Sequence, residues 1–313
     1  RPDQFNVTSY DATVVAIITL ETIAGMLINA FIVSMICMAW VKKKTLNSNE
    51  KILLLLACSG FWYLALAWVF SFLSIIYPEY LFVHHMYQLV ESAGSFFHFF
   101  TVWVSACLCV FYCIKIANFR NSFFIYLKVK IDRIVPWFLL GSLLFSMVIG
   151  ILIYDMTDKA LRNTFNFTCQ GIIWKSTIRI DEHFFPIFFI TGFFFAMAFT
   201  AVIISALLLL FSLWRHKCNM QTESMKDLST DAHIRAMKSI IYFLVIYSIN
   251  FLCLILTLVY SMRNDNEKMF LIYLIQYAFP GVHSLILICS NPKLEKILLR
   301  ILPCVKRNVC MKE

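Results

Sequence analysis

The sequence predicts an all-α membrane protein. It is read as a bundle of seven transmembrane helices with the N-terminus outside, the C-terminus in the cytoplasm and a short amphipathic helix after the last span. Three observations carry this expectation: an excess of apolar residues, seven long apolar runs, and positive charge confined to alternate gaps. Of 313 residues, 61% are hydrophobic and 14% charged, with a mean hydropathy of +0.78. A water-soluble domain of that composition would expose one continuous apolar patch.

About 20 apolar residues cross a hydrocarbon core, and spans are expected at 12–40, 52–76, 86–114, 134–154, 184–214, 239–260 and 269–289. The whole chain reads as one domain, because no gap is long enough to fold alone. Of the 27 Lys and Arg, 20 fall in the gaps Val41 to Lys51, Lys115 to Arg133 and Arg215 to Lys238 and in the tail from Asn291. Positive-inside logic places those four segments in the cytoplasm. An odd number of spans then puts the N-terminus outside. Two glycosylation sequons, at Asn6 and Asn166, fall on the predicted outer side. The N-terminal stretch is short and polar and leads into a full-length span, so no cleavable signal peptide is expected.

The net charge of +9 is spread as a cytoplasmic collar rather than gathered in a groove. Membrane lipid, not nucleic acid, is the partner it predicts. Eleven cysteines do not make a disulfide framework, because only Cys169 falls in an extracellular gap. Cys304 and Cys310 lie beside the last helix, where palmitoylation is a weak expectation. After span seven, Asn291-Pro292 ends the helix, and Leu294, Ile297, Leu298 and Ile301 recur at helical spacing. An amphipathic helix over roughly 292–301 is expected to lie on the inner membrane surface.

Ionisable groups inside spans mark candidate sites. Glu21, Gly25 and Asn29 share one face of span one, which either packs a neighbouring helix or touches a ligand. Glu91 and His98 are two turns apart on span three, with Gly94 and Ser95 between them. Either they line a cavity or Glu91 anchors the span and His98 bonds a neighbour. Phe189 and Phe193 in a phenylalanine-rich span five, Trp68 in span two, Asn250 in span six, and Tyr273, Gln276 and Tyr277 in span seven are further pocket candidates. For the aromatic members the competing role is lipid contact or the interfacial belt. No hydrolase, metalloprotease or phosphate-loop motif is present and no enzymatic activity is expected. No cofactor or metal is expected either.

At the inner end of span three the chain reads Phe111-Tyr112-x-x-Lys115-Ile116-Ala117-Asn118-Phe119. This segment resembles the bitter taste receptors, the type 2 taste branch of the seven-helix G-protein-coupled receptors. In register with it are Asn29, Leu46-Asn47-Ser48-Asn49, Trp103, Pro136-Trp137 with Leu140-Gly141, and Ser212-Leu213-x-x-His216. Further along follow Ser229-Thr230-x-Ala232-His233-x-x-Ala236-x-Lys238, Pro280-x-x-His283-Ser284 and Asn291-x-Lys293-Leu294. The rhodopsin-like signatures Asp-Arg-Tyr and Asn-Pro-x-x-Tyr are absent from the corresponding places.

The resemblance implies a plasma-membrane receptor whose pocket lies between spans three, five, six and seven. A small bitter agonist would enter it and activate a gustducin-like heterotrimeric G protein. It also implies a switch region of Tyr112, Lys115, His216, His233 and Lys238, with His283 in a span-seven hinge. A pheromone- or odorant-type receptor, or less readily a transporter or channel, is the alternative, and a receptor oligomer is open. The chain departs from the family pattern at five places. Gly60 stands where an Arg is usual, Ala198 where many members have a proline, and Leu228 where a proline precedes Ser229. Gly94 and His98 replace a Trp and an Asn that touch ligand.

Overall fold

A computed structural model describes residues 9–77, 80, 85–117, 121–167, 185–220, 228–263 and 266–300. Seven long helices follow one another: α1 (Ser9–Lys43), α2 (Ser48–Ile76), α3 (Met86–Ile116), α4 (Ser122–Phe167), α5 (Phe185–Met220), α6 (Leu228–Arg263) and α7 (Asn266–Ser290). A short helix, α8, covers 292–300. All seven long helices contain stretches apolar enough to cross a membrane. Each expected span lies inside one of them, apart from a residue at the start of the fifth. The protein is therefore read as a multi-pass membrane protein built as a seven-helix bundle.

Several helices outrun their apolar runs. Helix α4 extends 12 residues before the expected start at 134 and 13 beyond 154, so Lys128, Lys130 and Arg133 ride on a helix rather than in a loop. Backbone hydrogen bonding is as favourable just outside the hydrocarbon as within it, and hydropathy marks only the apolar segment. Asn166, expected in a gap, likewise belongs to the last turns of α4. Asn6, Cys169, Cys304 and Cys310 lie outside the described residues.

Neighbours in sequence pack as neighbours in space, and α7 closes the bundle against α1 and α2. Helix α3 packs on α2, α4 and α5 and is the most buried of the seven. The two faces of the bundle are here called the N-terminal face, where α1, α3, α5 and α7 begin, and the basic face, where those helices end.

The ends of two helices show how sequence fixes the boundaries. The backbone N–H of Asn47 donates to the Glu50 carboxylate at 3.0 Å, a reciprocal cap for the start of α2. Asn291 separates α7 from α8: its side-chain oxygen accepts from the Lys293 N–H at 3.1 Å and its carbonyl from the Glu295 N–H at 2.9 Å. Pro292 then occupies the first helical position, where its missing N–H has no cost. In α8, Leu294 is buried while Lys293, Lys296 and Arg300 are exposed, as an amphipathic helix requires.

The tightest helix contact is between α1 and α7. A Cβ built on Gly281 would lie 3.2 Å from the Gly25 Cα, and one built on Gly25 would lie 2.6 Å from Leu64 Cδ1. Only glycines allow two helix backbones this close. One turn further on, the Ser284 hydroxyl donates to Asn29 Oδ1 at 2.7 Å and Asn29 Nδ2 donates to the Gly25 carbonyl at 2.8 Å. Gly60 of α2 completes the contact, since a Cβ there would sit 3.0 Å from Asn29 Oδ1.

Valine at Gly281 must push two backbones apart and is expected to cost about 1–3 kcal/mol. The detergent-solubilised protein should show a lower Tm. Gly141→Val is the control, because a Cβ at Gly141 meets nothing within 4 Å. Equal Tm values for the two variants would remove the contact from the list of constraints on the fold.

Candidate functional site

A cavity of about 330 Å³ opens among the N-terminal halves of α3 and α7 and the second half of α2. Helix α3 contributes most of one wall. Tyr87, Glu91, Gly94, Ser95 and His98 recur at helical spacing down a single face. Gly94 has nothing within 4 Å of where a Cβ would point, so its missing side chain is part of the empty space. Tyr63, Ala67 and Phe70, spaced by four and three residues, supply the α2 wall, and Tyr273, Gln276 and Tyr277 the α7 wall. Thr157, Thr191 and Thr257 come from α4, α5 and α6.

Polar contacts hold these walls in place. The Ser92 hydroxyl donates to the Gly150 carbonyl at 2.7 Å, pinning α3 to α4. Beside the mouth, Asp158 of α4 accepts from Gln88 Nε2 at 3.3 Å and lies 3.4 Å from the His85 ring. The Ser71 hydroxyl lies 3.4 Å from the Tyr277 hydroxyl. Gln276 Nε2 approaches Thr257 Oγ1 at 3.5 Å, linking α7 to α6. Pro280, one turn below, has no N–H to donate to the carbonyl of Gln276, so the helical ladder is interrupted at the cavity floor.

Aromatic contacts close the interior. The Tyr63 ring lies 5.3 Å from the His98 ring and 6.5 Å from that of Tyr277. Tyr277 in turn stacks on Tyr273 at 6.2 Å. His98 is thus wedged between α2 and α3 at the lower end of the space.

Beneath it lies a buried aromatic layer. His283 of α7 is 1% exposed and ringed by Phe243 at 4.9 Å, Phe279 at 5.7 Å and Tyr247 at 6.5 Å. The Tyr247 hydroxyl donates to the Val102 carbonyl at 3.0 Å, tying α6 to α3. His283 Nε2 is buried without a hydrogen-bond partner among the described residues.

The structure gathers seven of the eleven sequence-derived pocket candidates: Glu91, Gly94, Ser95, His98, Tyr273, Gln276 and Tyr277. Four are elsewhere. Phe189 and Phe193 are 73% and 55% exposed and face outward from α5. The small polar Thr191 between them turns inward instead, as expected where lipid solvates phenylalanine. Trp68 turns to α1, donating Nε1 to Thr19 Oγ1 at 3.1 Å and stacking on Phe72. Asn250 is buried one turn below the cavity-lining Leu254, and its Nδ2 lacks a partner among the described residues.

Sequence reasoning took Trp68 as the α2 residue of the wall and missed Tyr63, Ala67 and Phe70. Their signal was legible, since they repeat at helical spacing. Tyr87, one turn above Glu91, was missed in the same way.

At the basic face the expected switch residues do not form one cluster among the described residues. Tyr112 packs against Ala117, Leu209 and Ile240 where α3, α5 and α6 meet. Lys115 sits 3.7 Å from Asp132 of α4 and over the Phe111 ring at 4.9 Å. Lys238 is exposed. His216 and His233 lie on α5 and α6, with side chains outside the described residues.

A second cavity of about 370 Å³ lies between α3, α4 and α5, lined by Trp103, Trp137, Gly141, Phe145 and Phe194 among others. It lacks convergent polar groups. The Ser142 hydroxyl there is already used on the Phe138 carbonyl at 2.8 Å. The first cavity, with a carboxylate, an imidazole and several hydroxyls aimed inward, is the better-formed binding site.

A seven-helix membrane bundle with a polar-lined cavity at one end, and no motif of catalysis, has the form of a small-molecule receptor. Comparison with known proteins gives the family. The family model described as "Taste receptor protein (TAS2R)" matches residues 7–306. Taste receptor type 2 member 41 of Mus musculus is 34% identical, covering 85% of this chain and 87% of its own length. Taste receptor type 2 member 13 of Papio hamadryas is 32% identical over 90% and 92%. Taste receptor type 2 member 2 of Homo sapiens is 29% identical over 94% and 97%. The chain belongs to the taste receptor type 2 family, and is therefore a G-protein-coupled receptor rather than an enzyme.

The cavity wall can be checked without any ligand. In open membrane fragments a charged thiol reagent is expected to modify Ser95→Cys about tenfold faster than Phe193→Cys, because only a hydrated thiol ionises readily. Equal rates would mean that Ser95 does not face water.

Proposed function

We propose that this protein is a bitter taste receptor of the plasma membrane. It binds small bitter compounds in the cavity between α2, α3 and α7 and activates a gustducin-like heterotrimeric G protein through its basic face. The observation that carries the reading is the cavity itself: a well-formed, polar-lined space at one end of a taste receptor bundle. The N-terminal face is the extracellular one in this reading. The concentration of Lys and Arg at the opposite face supports it through the positive-inside bias.

The buried aromatic layer around His283 and Tyr247 favours a receptor over a transporter, because bulky packed rings, not a continuous run of polar side chains, cross the described bundle there. It also suggests how occupancy of the cavity reaches the far side. Tyr247 joins α6 to α3, and His283 joins α7 to the same aromatic layer. An agonist that prefers one arrangement of α3 and α7 would shift this layer and, with it, the ends of α5 and α6. Tyr112, at the junction of those ends, is placed to respond. His216, His233 and Lys238 are carried on the same two helices. Sequon glycosylation at Asn6 and Asn166 fits an extracellular N-terminal face.

The direct test is a calcium-release screen of a bitter-compound library in cells expressing this chain with a gustducin-like chimeric G protein. Compounds active only when the chain is present would support the reading. A library with no active member would sink it. Gly94→Trp then locates the site: an indole built into open space is expected to lower agonist potency about a hundredfold, with surface expression retained. Unchanged potency would move the binding site out of this cavity.

A further inference from the structure

We propose that the cavity is built for organic cations, with a tertiary or quaternary ammonium held between the Glu91 carboxylate and the rings of Tyr63, Tyr87, Tyr273 and Tyr277. This rests on the receptor reading of the same cavity and specifies the chemistry of its ligand.

Glu91 is the one carboxylate on the cavity wall, and no Lys or Arg lines that wall among the described residues. The ion pairs among the described residues belong to Glu50, Asp132, Asp155 and Asp158, and none engages Glu91. A carboxylate in a membrane bundle is costly unless a cation or water compensates it. No cation of the described wall does so, which leaves the place to water or to a cation that enters the cavity.

The surroundings select which kind of cation. Tyr63, Tyr87, Tyr273 and Tyr277 line the same cavity as Glu91. They come from α2, α3 and α7, so rings from three helices share the space with the carboxylate. Tyr63 and Tyr273 both contact Tyr277. Ring faces attract an ammonium that has shed its water, and they suit methylated ammonium groups, which offer few or no N–H donors. A hydrated metal ion would need several oxygen ligands instead, and no group of three ligating side chains occurs among the described residues.

The lower half of the cavity sets the rest of the ligand. His98 lies two turns below Glu91, about 10 Å along the helix axis. Beside it are Tyr63 and Phe99, an aromatic floor. An elongated ligand fits this gradient, with its ammonium at the Tyr87 end and an aryl body reaching the His98 end.

Matched pairs of probes test the idea: aryl-alkyl trimethylammonium ions and the neutral compounds in which carbon replaces nitrogen as a tert-butyl group. They are screened beside the general bitter library, in the same calcium-release assay. On the wild-type chain the cation is expected to be at least about tenfold more potent than its neutral partner. Glu91→Gln is expected to erase most of that ratio, and Tyr87→Leu to reduce it. Surface labelling confirms that each variant reaches the membrane. If Glu91→Gln fails to do so, the wild-type ratio and the Tyr87→Leu ratio still decide. Equal potency within pairs on the wild-type chain overturns the proposal, as does a cation preference that survives Glu91→Gln. If neither member of any pair activates while other library compounds do, the cation proposal falls and the receptor reading stands. If nothing in either set activates, the receptor reading has failed first.

Discussion

The contact on which the bundle's geometry depends is the backbone approach of α1 to α7 at Gly25 and Gly281. In lipid, helices gain nothing from hiding apolar surface from water, so close van der Waals packing and buried hydrogen bonds must hold them together. Gly25 and Gly281 provide the first, and the Asn29–Ser284 hydrogen bond one turn away provides the second. Asn29 is fully buried, and its amide is satisfied by the Gly25 carbonyl on one side and the Ser284 hydroxyl on the other. Drawing α7 against α1 carries Tyr277 toward α2, where it meets Tyr63 and Ser71. The α7 wall of the cavity is a consequence of that glycine contact.

The two halves of the bundle then differ in kind. Toward the N-terminal face α2, α3 and α7 diverge around a polar-lined space. Toward the basic face the same helices close on a continuous core that includes Ile52, Leu53, Leu108, Phe111 and Leu287. The aromatic layer of Phe243, Tyr247, Phe279 and His283 is the boundary. This layer is one route by which a change in the open half can reach the closed half, because densely packed side chains transmit displacement rather than absorb it. Phe195 and Phe251 stack beside Tyr247, so α5 belongs to the same boundary.

Sequence made the helices legible and the side-chain directions only partly so. Hydropathy found all seven membrane helices because lipid demands long apolar runs, but it shortened α4, whose ends lie beyond the apolar segment. Glu91 and His98 could be placed on one face from their spacing, since α3 has a polar side and an apolar side. No such contrast exists in α5, where phenylalanine surrounds the helix and period alone cannot say which ring turns inward. Thr191 is the one small polar residue among those rings, and it faces the cavity. Trp68 was misleading for a different reason: its indole N–H found a partner, Thr19, on α1, which no pattern within α2 reveals. Nor does spacing alone bring Tyr63 and Tyr277 together from opposite parts of the chain.

Gly60 links the departures from the family pattern to this geometry. Where the resemblance to the family leads to the expectation of an Arg, this chain has no side chain at all, and the space is filled by Asn29, whose Oδ1 would lie 3.0 Å from an added Cβ. An Arg there would bring a buried charge into the α1–α2–α7 contact and require an acceptor for each of its donors. Here the adjacent polar groups are satisfied by neutral bonds: Ser284 to Asn29, and Thr101 to Ser59 at 2.9 Å. Around Gly60 the helices are therefore held by packing and short neutral hydrogen bonds. The ionisable groups nearby differ in setting: Glu21 lies one turn before Gly25 with Oε2 buried and unpartnered among the described residues, Glu91 faces the cavity, and Lys115 pairs with Asp132. Among the described residues no ion pair lies at this centre, so a rearrangement there would be a repacking of the aromatic layer rather than the breaking of a salt bridge.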